Sequence, residues 1–206
     1  NNDGLYDLVV VNGFMSGRPD TSYWRMMQHF ALGTKRFLAN PWNWNEFKDI
    51  TWSGYQRDCV FMNVGGRFVD VAEKTGFDAA KSDGRGVAAI DFLNNGKLGF
   101  VVSNQKQKAA LYRNDGESAG RWIGFKLRGT VSNRDAIGAQ LIVETSDGRI
   151  MRKAHYPLNG YSSQQDARIH LGLGASDVKS VQIVWPNGAR ETRTGFSLDR
   201  YHLIVE

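Results

Sequence analysis

Apolar residues recur along the chain in short runs closed by glycine or asparagine: LVVVNG (8–13), FVVSN (100–104), QLIVET (140–145) and VQIVWPNG (181–188). Runs of four to eight residues rich in valine and isoleucine and bounded by turn formers predict strands. Helical periodicity is confined to one stretch. From Thr21 to Phe37 apolar residues fall at Trp24, Met27, Phe30, Ala31 and Phe37, with Thr21 or Ser22 as N-cap and Gly33 as an interruption. The pattern predicts one or two short helices inserted into a β architecture. Cys59–Phe77 reads as strand, glycine turn, strand and a short helical turn. The fold class expected is all-β.

The chain also repeats itself. NDGLYDLVVVN (2–12) aligns without gaps on NNGKLGFVVSN (94–104), matching at the first Asn, the Gly, two Val and the last Asn. Each copy reads as a polar turn, whose glycine supplies a backbone angle other residues resist, followed by an apolar strand. From about Trp122 the rhythm changes to longer strands joined by hairpins at Asp147-Gly148 and Asn187-Gly188, the strongest short-range hairpin signals. The expected organisation is therefore two regions, 1–118 and 119–206, with a linker near residues 116–121 and a helical aromatic insert at about 21–55.

Composition narrows the function. The 206 residues are 41% hydrophobic, enough for a real core, and 23 glycines against 4 prolines fit the turn-rich reading. The net charge of +5 comes from 26 basic and 21 acidic residues interleaved along the chain, with no like-charge block to suggest a nucleic-acid arm. No apolar run approaches the ~18 residues a spanning helix needs. The single cysteine, Cys59, sits among apolar neighbours and reads as a structural thiol rather than a nucleophile. His29, His155, His170 and His202 show no metal-ligand spacing, and neither a G-x-S-x-G elbow nor a P-loop occurs. His170, in the alternating run RIHLGLG, is expected to be a half-buried strand residue.

The repeated units resemble FG-GAP/VCBS repeats, the blades of integrin-like β-propellers, in which a loop of the pattern D-x-D-x-D-G-x-x-D precedes a hydrophobic strand. LYRNDG (111–116) and VFMNVGGRFVDVA (60–72) resemble the segments that link such blades. SNRDAIGAQLIV (132–143), GYSSQ (160–164), IHLGLG (169–174) and VQIVWPNG (181–188) resemble the ASPIC/UnbV domain that follows these repeats. The resemblance implies the C-terminal blades of a β-propeller with a short helical insert, then a β-sandwich or barrel-like ASPIC/UnbV domain. It also implies structural Ca2+ in the intact protein, bound by Asn1, Asp3 and Asp7 with the backbone carbonyl of Leu5. Calcium prefers six to eight oxygen ligands, which alternating carboxylates on a tight turn supply. The first carboxylate of that loop is expected upstream of Asn1, so the chain starts inside its own loop. In the second copy Leu93 and Gly99 replace ligands, so that loop is expected to be metal-free scaffold.

Two surfaces are candidates for ligand or partner contact. Tyr23, Trp24, Arg25, His29, Trp42 and Trp44 belong to the aromatic insert, and such residue types anchor interfaces. Arg134 and Asp135, in NRDAIGA, form either an exposed ligand-facing turn or a mutual pair that fixes it. The first functional reading is a calcium-supported binding or scaffold protein, extracellular or in the cell envelope, making protein or ligand contacts. The alternative is an enzyme or accessory protein of secondary metabolism, as UnbV-type proteins occur in enediyne gene clusters, holding an apolar substrate at residues 21–55 near Arg25, His29 or Asp58. The absence of an assembled catalytic motif favours the first. The expected partners are the N-terminal remainder of the propeller and a protein or apolar small molecule, with neither nucleic acid nor a membrane span.

Overall fold

The computed structural model describes residues 1–24, 49–79, 81–158 and 160–206, with backbone alone at 19–22. The strands are short and mostly antiparallel, as the valine-rich runs and glycine turns predict. In the N-terminal region β1 (Leu8–Val10) pairs with β4 (Cys59–Asn63), which pairs with β5 (Phe68–Asp70). β2 (Arg18–Ser22) lies parallel to β3 (Ile50–Thr51). The helical turn expected after β5 is α1 (Ala72–Thr75), closed by Gly76 at φ 71°. A second three-stranded sheet follows, β6 (Gly84–Ile90), β7 (Gly99–Asn104) and β8 (Ala110–Tyr112) in that order.

The C-terminal region is a two-layer sandwich. One layer has the order β11 (Ile150–Ala154), β10 (Gln140–Thr145), β13 (Val178–Val184), β14 (Arg190–Arg193); the other is β12 (Ile169–Gly174), β9 (Arg121–Arg128), β15 (Tyr201–Val205). β15 joins β9 in parallel and the other pairings are antiparallel. Both predicted hairpin turns form: Gly148 (φ 84°) and Gly188 (φ 90°) donate their N–H to Thr145 and Trp185. Every second residue of β10, Leu141, Val143 and Thr145, is fully buried. They face Ile123, Phe125 and Leu127 of β9 and Leu171 and Leu173 of β12 across one apolar core. Among the described residues the sheets stay open, and none closes into a barrel.

The two copies of the repeat share a backbone signature. Asn2 (φ 65°) and Asn94 (φ 54°) occupy equivalent positions in the left-handed region, as do Gly4 (φ 88°) and Gly96 (φ 81°). Each loop leads into a strand, β1 or β7. A side chain at either glycine would collide with the sandwich: a Cβ on Gly4 would lie 2.5 Å from Arg149 Nη1, and one on Gly96 2.1 Å from the Trp122 indole nitrogen. The repeated loops are thus the elements that touch the C-terminal region, and glycine permits that approach.

Of the aromatic insert, Tyr23 and Trp24 are described; Arg25, His29, Trp42 and Trp44 lie outside the described residues. Tyr23 stacks on Trp52 at 3.9 Å, and Phe14 meets Trp52 edge-on at 4.6 Å. Trp24 is 63% exposed, with its ring edge-on to Tyr23.

Candidate functional site

Functional groups gather where the loops meet the sandwich. Asn2 Oδ1 sits 2.8 Å from His170 Nε2, while its Nδ2 donates to the Gly96 carbonyl (3.0 Å) and to Ser118 Oγ (3.1 Å). Its amide therefore bridges both repeat loops, the linker and β12. Because the Asn2 nitrogen has donor work on its other side, its oxygen accepts, and the His170 proton lies on Nε2. Among the described residues the buried Nδ1 of His170 has no hydrogen-bond partner. The ring stacks on Trp122 with centroids 5.1 Å apart. Burial pushes His170 down to about 4, since desolvation disfavours imidazolium.

A second set centres on Asp91, 2% exposed in the second repeat loop. Its carboxylate accepts the N–H groups of Asn95 (3.1 Å) and Gly96 (2.7 Å) and the Tyr201 hydroxyl (3.0 Å). Arg168 lies over the Tyr201 ring at 4.2 Å, pairs with Asp166 through Nε at 2.8 Å, and donates to Asn94 Oδ1 and the Asp91 carbonyl. Burial, with the Asp91 charge second, drives the Tyr201 phenol well above its ordinary range. The phenol stays a neutral donor. No nucleophile beside a free base results, for each of these groups holds another across the junction.

Beside this junction a cleft of about 930 Å³ opens between the N-terminal sheets and the sandwich, lined among others by Tyr6, Val9, Val60, Val87, Met151 and Lys153.

The predicted calcium loop has hard oxygen donors. Asn1 and Asp3 lie side by side, Asn1 Nδ2 donating to Asp3 Oδ2 at 2.9 Å, and Asp3 Oδ1 accepts the Leu5 N–H at 2.8 Å. Asp7 accepts the Asn63 N–H of β4 at 2.8 Å. Among the described residues no three His, Cys, Asp or Glu side chains gather as a metal cluster. Asn1 and Asp3 carry hard oxygen donors, the type a calcium ion prefers.

Arg134 and Asp135 are exposed and form no ion pair with each other. The turn is held instead by Asn133, whose amide exchanges hydrogen bonds with the Ile137 backbone at 2.8 and 2.9 Å. The Asp135 carbonyl meets His155 Nε2 at 3.0 Å. Sequence reasoning placed His170 correctly on a strand but missed Asn2, Tyr201 and Arg168 as its neighbours. The signal was the repeat itself, since the aligned Asn2 and Asn94 both reach this junction.

The family model of ASPIC and UnbV matches residues 129–206. The chain is also similar to cartilage acidic protein 1 of Mus musculus (25% identical over 122 residues, 57% of this chain and 19% of the relative). The same protein of Homo sapiens is 26% identical over 121 residues, 56% and 18% of the two chains. The chain thus spans about a fifth of the length of these curated relatives. They lend no support to an antibiotic-cluster role. The segment that resembles the ASPIC and UnbV family, residues 129–206, carries β10 to β15 of the sandwich.

Proposed function

We propose that this chain is a non-enzymatic binding and scaffold module that works outside the cell, with calcium steadying its first repeat loop. The observation that carries the reading is the junction. Asp91, Tyr201, Arg168, Asp166 and His170 are all engaged in holding the repeat loops against the sandwich, which suits a stiff platform and leaves no poised catalytic pair. Similarity to cartilage acidic protein 1 supports an extracellular setting. On the resemblance to FG-GAP repeats, the N-terminal sheets belong to propeller blades, and further blades are the first partner. Asn1, Asp3, Asp7 and the Leu5 carbonyl would hold the ion. Calcium there would offset the repulsion between the two carboxylates and fix the loop that carries Asn2 and Gly4.

Scanning calorimetry of the chain in EDTA and in about 1 mM calcium, the weak end of extracellular sites, tests this. One cooperative transition that calcium moves upward, and that Asp3→Ala makes insensitive, supports the reading. A transition unmoved by calcium overturns the calcium assignment. Two separate transitions overturn the stiff platform.

A further inference from the structure

The cleft of about 930 Å³ has the size of small-molecule sites, roughly 300–1,000 Å³. Its walls are mostly apolar, with Val9, Val60 and Val87 from the N-terminal sheets and Met151 from β11 among them. Two of its carboxylates are already matched: Asp115 by Arg113 at 2.7 Å and Asp166 by Arg168 at 2.8 Å. Asp7 accepts the Asn63 N–H, and the remaining wall carboxylate, Glu117, is exposed.

Lys153 differs from the other cations of the wall. It is half-buried, its Nζ sits 5.0 Å from the centre of the Tyr6 ring, and among the described residues it has no carboxylate partner. Burial pushes its amine downward, and no neighbouring carboxylate offsets that push. A desolvated ammonium without a counter-ion is unfavourable, and an anion entering the cleft would relieve it.

We infer that the cleft binds an amphiphilic monoanion, an apolar body bearing one carboxylate or sulfonate, with Lys153 contacting the head group and the valines and Met151 enclosing the body. The inference rests on the binding reading above and gives it a ligand class. Charge complementarity selects the occupant: an apolar ligand without charge would leave the Lys153 ammonium unmatched, and a cationic one would be repelled by it.

The probe is anilinonaphthalene sulfonate, fused and single rings with one sulfonate, titrated against the whole chain in EDTA and followed by its fluorescence. Dodecanoate should displace it and dodecyltrimethylammonium should not. Lys153→Met should weaken the probe about tenfold, as expected for losing a charge-assisted contact. Lys153→Arg should retain binding, and Lys179→Gln, which removes a cation paired with Glu144 elsewhere on the sandwich, should change nothing. Equal displacement by the cationic amphiphile, or unchanged affinity in Lys153→Met, overturns the inference. Calcium plays no part in this assay, so its failure is distinguishable from failure of the calcium reading.

Discussion

The two regions of this protein are built from similar valine-rich runs yet are stabilised differently. In the sandwich fourteen apolar residues form one buried cluster. Among the described residues of the N-terminal region the buried apolar cluster is Ala72, Phe77 and Val102, with Val9, Val60, Val87 and Tyr112 only half-covered against it. Its described residues also bury carboxylates. Asp58 is fully buried and accepts the Asn12 N–H at 2.7 Å. Asp83 accepts the Ser16 N–H and hydroxyl, and Asp91 two N–H groups of its own loop. Carboxylates bonded to backbone donors fasten loops, whereas interdigitated aliphatic side chains fill space. The difference explains why the cleft opens against the N-terminal sheets: half-covered valines leave room that a packed core does not.

Large-to-small substitutions probe that contrast most strongly. Leu141→Ala, in the packed core, should cost about 2–5 kcal/mol in urea unfolding. Val9→Ala should cost about 1 kcal/mol or less, because its surroundings are already open. Equal losses would erase the distinction between the regions.

Gly96→Ala targets their junction. The added methyl meets the Trp122 indole, and alanine is strained at φ 81°, so a loss of about 3 kcal/mol is expected, with separation of one calorimetric transition into two. A single, barely shifted transition would show that the loop does not couple the halves.

Acid should act on the same junction. His170 is pushed from 6.5 to about 4, so below pH 6.5 the unfolded chain binds a proton that the folded chain refuses. The stability this neutral imidazole contributes is complete above pH 6.5 and is lost as pH falls toward 4, by at most about 1.4 kcal/mol per pH unit. Unfolding free energies measured across that window should flatten in His170→Gln.

Two smaller effects sharpen the comparison. Tyr201→Phe removes the hydroxyl that Asp91 accepts and should cost about 1–2 kcal/mol in the same unfolding assay. Arg113→Ala breaks an exposed pair with Asp115 and should stay within about 0.5 kcal/mol.

Much of this was legible in the residues. Asp147-Gly148 and Asn187-Gly188 marked their hairpins because few other dipeptides accept those turn angles, and the β4, turn, β5, α1 succession followed from local pattern alone. The match of Asn2 and Gly4 to Asn94 and Gly96 likewise announced two loops of one shape. The Arg134 and Asp135 pair was not there, since Asn133 supplies the turn's hydrogen bonds from a position the charged dipeptide obscured. Nor could Lys153 be told from other lysines of the chain, for its lack of a carboxylate partner among the described residues depends on what lies across the cleft.

The sequence by itself determined the β character, the turns, the repeat and the ASPIC and UnbV segment, because each is encoded within a few neighbouring residues or a short ordered set of motifs. Only the tertiary structure decided which valines are buried and which line a cleft, that Asn2 meets His170 across 168 positions, and that Asp91 meets Tyr201 across 110. Those outcomes depend on long-range packing, and burial and pairing belong to the two surfaces that meet rather than to either run of sequence.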